Sequence, residues 1–172
     1  MTNRSSLTEF LIHFTVRQFL RNHDWVLVAG QYPGGSDDEL LALSIRDPRL
    51  AKDSSPDPRR HDTNKLVPDL VAQRDRFMLL VEMKPNYSSA DERKLEIILD
   101  TRKSDLVAAV NQLFSRRPSM YTYPPEELTY LPALGFGSGS SYPANPNFCY
   151  FLVSPGGKCK FIGNNLLPDG AP

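Results

Sequence analysis

Asp69, Glu82 and Lys84 are the residues whose types and spacing could do chemistry together. Each interrupts an otherwise apolar run, Leu66–Ala72 or Phe77–Met83 with its Lys84-Pro85 end. Unpaired charge is expensive to bury, so charges set in such runs need a physical reason. Glu82 and Lys84 are two residues apart, which places them on one face of a strand. Two converging carboxylates suit a hard, oxygen-seeking cation such as Mg²⁺. A neighbouring ammonium can orient or help deprotonate a water, or neutralise charge on a phosphate.

The elements that must position these groups follow from the surrounding letters. Both runs are short and rich in Val, Leu, Met or Phe, as strands of a covered sheet are. The charged break Gln73–Arg76 is about the length of a hairpin loop. A turn centred on Arg74-Asp75 sets Asp69 opposite Leu80 and diagonal to Glu82. A turn centred on Asp75-Arg76 sets Asp69 directly opposite Glu82. Both registers bring the carboxylates to one face, within cross-strand reach; a three-residue loop would separate them. Pro85 biases Lys84 toward an extended backbone.

Pro68-Asp69 followed by Glu82-Met83-Lys84, within V-P-D-L-V-A and L-L-V-E-M-K, resembles the PD-(D/E)xK motif of the restriction-endonuclease-like nuclease superfamily. The local sequence is also similar to archaeal Holliday-junction resolvases and type II restriction enzymes. The resemblance implies that Asp69 and Glu82 hold a catalytic Mg²⁺, with Mn²⁺ as a substitute. It implies too that the Met83 carbonyl completes the site and that Lys84 assists the attacking water. Many members of the superfamily carry a Glu on the first core helix, and Glu9 is the acidic residue available there. The ordinary reading of Glu9 is a carboxylate favoured at a helix N-terminus. Some families place a Gln on the helix after the lysine; Gln112 is the candidate, without the Tyr that often follows. The implied substrate is DNA, cut by a homodimer with one strand per subunit. Without the resemblance, the same letters describe a hairpin with ordinary charges at its ends.

Composition sets bounds on these readings. A length of 172 residues suggests one domain with a real core. Neither a bilayer-spanning apolar run nor a signal peptide is legible, so a cytoplasmic protein with no membrane partner is expected. The formal net charge of zero argues against a strongly basic coat, so phosphate binding would depend on local clusters. Cys149 and Cys159 are too few for a Cys-rich zinc site. They flank the hairpin loop Ser154–Gly157, where Cys149 would pair near Ile162 and Cys159 near Leu152, so free buried thiols are expected. His13, His23 and His61 have no zinc-hydrolase spacing.

In chain order, Ser6 or Thr8 can cap a helix to about Asn22, with His13 a surface partner of Glu9 one turn on. Trp25–Tyr32 reads as a strand. Asp37–Ile45 reads as a short helix or a helix–strand transition. The polar, Pro-rich stretch 46–64 reads as a long loop, either a DNA-contacting arm or a solvated insertion. Ser88 or Ser89 caps helical sequence over Ala90–Arg116, broken near Thr101–Ser104, with Arg93 and Lys94 outside the apolar faces. Tyr130–Phe136 reads as a strand. The Gly/Ser run 135–141 invites a phosphate-loop reading but is followed by Tyr142-Pro143 and Pro146 where a helix should begin, so a flexible loop is expected. Phe148–Val153 and Lys158–Ile162 form a closing hairpin, and the tail 164–172 should fray. The order predicts an α/β fold, a mixed central sheet flanked by helices. It also matches the αβββαβ core that the resemblance implies.

The leading expectation is therefore a Mg²⁺-dependent DNA endonuclease of restriction or defence type. A Holliday-junction or repair nuclease is the neighbouring alternative. A catalytically inactive nucleic-acid-binding or assembly module with the same fold is the alternative of another class.

Overall fold

A computed structural model describes residues 7–30, 43–44, 65–120 and 122–167. Helix α1 spans Glu9–Asn22 and begins where the Thr8 hydroxyl accepts from the Leu11 amide at 3.2 Å. Strands β1 (Val26–Gly30), β2 (Leu43–Ser44), β3 (Lys65–Leu66), β4 (Leu70–Arg74) and β5 (Phe77–Met83) follow. Helices α2 (Ser89–Thr101) and α3 (Lys103–Arg116) precede β6 (Thr129–Gly137), β7 (Cys149–Val153) and β8 (Cys159–Ile162).

The fold is α/β. A six-stranded mixed sheet runs in the order β1-β4-β5-β6-β7-β8. Its central strands β5, β6 and β7 are parallel, and the other neighbours are antiparallel. β2 and β3 pair separately. Alternation along β5 sends Leu79, Val81 and Met83 to one face and Met78 and Leu80 to the other. The first set packs with Ile12, Val16 and Leu20 of α1; the second packs with Leu95, Ile98, Leu106 and Val110 of α2 and α3. Both faces are covered, which is why these strands read as nearly continuous apolar runs. Among the described residues no helix is long and apolar enough to cross a membrane.

Several local expectations change. The run Leu66–Ala72 is not one strand: β3 ends at Leu66 and β4 starts at Leu70, running on to Arg74. Pro68 lies in the gap, where it has no amide hydrogen to give a ladder. The helical stretch divides at Arg102, as the sequence suggests, and Ser88 is its cap. In the closing hairpin Ile162 faces Tyr150 and Cys159 faces Val153, one residue from the expected register. Both thiols are free, Cys149 buried and Cys159 half-buried. The Gly/Ser loop is pinned rather than flexible: the Ser138 amide donates to the Val153 carbonyl at 2.8 Å, and Ser140 Oγ accepts from the Tyr87 amide at 3.0 Å. Within the expected tail, Leu167 packs in the α1-side core and Asn164 Nδ2 donates to the Asn147 carbonyl at 3.0 Å, while 168–172 lie outside the described residues. The stretch 46–64, and Asp37–Ile45 apart from Leu43–Ser44, lie outside the described residues.

Candidate active site

The β4–β5 hairpin has the register of the second alternative. Arg74 faces Phe77 and Leu70 faces Val81, across a turn at Asp75-Arg76 whose first residue has φ 52°. Continued one step, this register sets Asp69 against Glu82. The ladder stops there, because Pro68 would have to meet Met83. The Asp69 side chain takes over: its Oδ2 accepts from the Met83 amide at 2.8 Å. The Met83 amide is thus satisfied by the Asp69 carboxylate where the ladder ends, while Pro68, with no N–H, gives the Met83 carbonyl no ladder donor. A strand residue sends its N–H and C=O to the same edge, so the Met83 carbonyl belongs to the Asp69 side. The Met83 side chain is fully buried on the α1 side.

Asp69 and Glu82 are both buried, 8 % and 3 % exposed. They meet at the strand ends and lean toward different layers, rather than lying flat on one face. Asp69 Oδ2 is 3.9 Å from His13 Nε2 on α1, whereas Glu82 Oε1 accepts from Lys94 Nζ on α2 at 2.6 Å. The same ammonium donates to the Val67 carbonyl at 2.8 Å, tying the Pro68-Asp69 approach to β5. Burial, then the neighbouring Asp69, push the Glu82 carboxyl well above its usual range, against the opposing pull of Lys94. Burial would lower the Lys94 ammonium, but the Glu82 and Asp69 carboxylates outweigh it and hold it above its ordinary value.

Glu9 is 3.8 Å from His13 Nε2, with its side chain 30 % exposed. His13 is a correction to the sequence reading: it is wholly buried between Glu9 and Asp69, not a surface partner. α1 turns this polar edge, with the buried Arg17 one turn on, toward the end of β4. A Cβ on Gly30 would lie 2.9 Å from Arg17 Nη2 and 3.1 Å from the Asp69 carbonyl oxygen, so a glycine lets them approach. Lys84 continues the parallel ladder by donating its amide to the Gly135 carbonyl at 3.0 Å. Alternation keeps its side chain on the α2 side with Glu82.

Lys94 and Asp91 were not legible as site residues. Lys94 reads as part of a solvated helix face, as its neighbour Arg93 is, with a side chain 73 % exposed. The available signal was their spacing, i and i+3 on the first turns of the helix after Lys84. Burial raises the Asp91 carboxyl above its usual range, while Lys84 pulls it down. Gln112 is exposed on α3 and takes no place in the cluster.

The donor set fits a hard divalent cation. The Glu82 carboxyl, which burial and the neighbouring Asp69 push up, would be relieved by a positive ion between the two. Lys94 occupies Glu82 Oε1, which leaves Oε2 for a ligand. Among the described residues no three His, Cys, Asp or Glu side chains converge as a ready-made cage. A cation here would draw on the Met83 carbonyl and water as well. No family model, curated protein or solved structure matches the chain.

Proposed function

We propose that the chain is a Mg²⁺-dependent endonuclease of the PD-(D/E)xK type, hydrolysing DNA phosphodiester bonds with an αβββαβ core. One observation carries the reading: a two-residue turn brings Asp69 opposite Glu82 at the strand ends, with Lys84 two residues past Glu82, just beyond β5. Asp69, Glu82 and the Met83 carbonyl would hold the ion, and Mn²⁺ would substitute. A bound ion supplies charge stabilisation at the scissile phosphate and makes water more acidic. Asp69 is aimed by the Met83 amide, and Glu82 by Lys94. Lys84 donates hydrogen bonds to the attacking water or to a phosphate oxygen. Glu9 acts from the rim through its approach to His13. Restriction-type cleavage by a cytoplasmic homodimer is the preferred biology, with junction or repair cleavage next.

A second reading is a catalytically inactive nucleic-acid-binding or assembly module. It draws on the Lys94–Glu82 bridge, since a half-buried ammonium already neutralises the carboxylate that a metal would use. Calorimetric titration with Mn²⁺ separates the two. Binding that disappears in Asp69→Ala supports the enzyme; its absence in the wild type supports the inactive module. Activity is tested on supercoiled plasmid, linear duplex, single strands and branched DNA, with Mg²⁺ or with EDTA. Cleavage that persists in EDTA would overturn the metal mechanism.

A further inference from the structure

We propose that Glu92 clamps the exit of the motif strand to the loop after β6, and so acts as a positioning residue for Lys84 in the reaction proposed above, on which this inference rests. The Lys84 amide donates to the Gly135 carbonyl at 3.0 Å, and the Pro85 carbonyl accepts from the Gly137 amide at 3.0 Å. Past Pro85 the chain leaves the sheet for Ser88, the cap of α2. There a side chain holds its backbone: the Tyr87 amide donates to Ser140 Oγ at 3.0 Å. Ser140 belongs to the loop 138–148 between β6 and β7, so the position of the exit segment depends on the position of that loop.

Glu92, in the first turn of α2, takes hold of both pieces. Its Oε2 accepts from the Tyr87 hydroxyl at 2.6 Å, and its Oε1 accepts from Asn145 Nδ2 at 3.0 Å. Hydrogen bonds to a carboxylate are stronger than those between neutral groups, so a fork of this kind suits a clamp. The Asn145 end is anchored in turn, its amide donating to the Tyr150 hydroxyl at 2.8 Å. Ring packing follows the same route. Tyr87 meets Phe136 edge-on at 6.0 Å, and Tyr142 packs on Phe136 at 4.9 Å and on Tyr150 at 4.8 Å. The helix that carries Glu92 also brings Lys94 to Glu82. One carboxylate therefore ties together the residues that follow Lys84, the loop beside them, and the helix that supplies Lys94.

The test uses the full-length chain with Glu92→Ala, Glu92→Gln and Tyr87→Phe, the last keeping the ring and losing only the hydroxyl. Amide hydrogen exchange is read by mass spectrometry. In Glu92→Ala, peptides covering 84–88 and 138–148 should exchange several-fold faster, with α3 as an unchanged control. Unchanged exchange in both segments would overturn the clamp. Where α3 speeds up as well, Tyr87→Phe decides: it should loosen 84–88 with α3 unchanged, and wild-type exchange there would overturn the clamp. Where the wild type cleaves DNA, kcat in Glu92→Ala should fall about ten- to a hundredfold at unchanged KM. Glu92→Gln, which can still accept from Asn145 and donate to the Tyr87 hydroxyl, should recover most of that loss. A wild-type kcat beside a lowered melting temperature would make Glu92 a brace of the fold alone and overturn the positioning role. The losses in kcat from Tyr87→Phe and Glu92→Ala should not add in the double variant, and full additivity would show that the two act separately. If the wild type cuts nothing, the nuclease reading fails, and exchange still decides whether Glu92 clamps the two segments.

Discussion

Lys94 donates to both the Val67 carbonyl and the Glu82 carboxylate, so one ammonium spans the two strand ends that carry the candidate site. Removing it leaves a buried carboxylate without compensation. Lys94→Met should cost about 3 kcal/mol, read as a lower urea midpoint, and adding Glu82→Gln should recover much of that loss. Lys84 has a different part. Lys84→Ala should abolish phosphodiester cleavage while leaving DNA affinity and the melting temperature close to wild type. Wild-type cutting rates in that variant would remove the lysine from the mechanism. Asp69, Glu82 and Lys84 were legible because charge inside apolar runs is conspicuous. Lys94, Asp91 and His13 were not, because on a helix a charged residue near the edge of the apolar stripe has the same letters whether it faces solvent or a sheet end.

At the scale of elements, the hairpin turn does the most to build the site. Its two-residue length fixes the register that brings Asp69 opposite Glu82 at the strand ends, and one residue more would shift that pairing. The sequence left two registers open because Gln73–Arg76 holds no glycine to locate the turn. Asp75 takes the positive φ of 52° instead. The other edge of the site depends on β6. The Gly137 amide donates to the Pro85 carbonyl at 3.0 Å, just past Lys84. A Cβ on Gly137 would lie 2.7 Å from Leu7 Cδ1 and 3.0 Å from that carbonyl oxygen. Gly137→Ala should therefore destabilise the fold by about 1–3 kcal/mol, measured by denaturant unfolding. An unchanged midpoint would show that the Pro85 loop gives way freely. At α1, loss of the Thr8 hydroxyl in Thr8→Ala should cost about 1 kcal/mol, a helix-cap effect.

At the scale of the whole molecule, three groups outside the site couple its stability to alkaline pH. Burial pushes the Cys149 thiol up to about 11 and the Cys159 thiol up to about 12. The hydrogen bond to Glu92 pushes the Tyr87 phenol up to about 12. The folded chain keeps these protons at a pH where the unfolded chain has released them. Stability should then fall as pH rises from the ordinary thiol value of 9.0 toward 12. Cys159→Ala should make that decline shallower in melting curves taken across the window; an identical slope would show that the thiol titrates alike in both states. Both thiols should also react slowly with a thiol reagent in the native chain near about pH 8, and quickly once unfolded.

By itself the sequence determined the α/β class and most of the strands and helices, though not the division of Leu66–Ala72, and it singled out Asp69, Glu82 and Lys84 as charges among apolar residues. These depend on local periodicity and on the cost of placing charge among apolar neighbours, both written in consecutive letters. Only the tertiary structure decided the strand order, the hairpin register, and the arrival of Lys94, Asp91 and His13 at the ends of β4 and β5. The physical reason is that α1 and α2 pack on opposite faces of the sheet. Which side chain at a helix edge then meets Asp69 or Glu82 is fixed by how each helix lies across the strands, a relation between segments far apart in the chain.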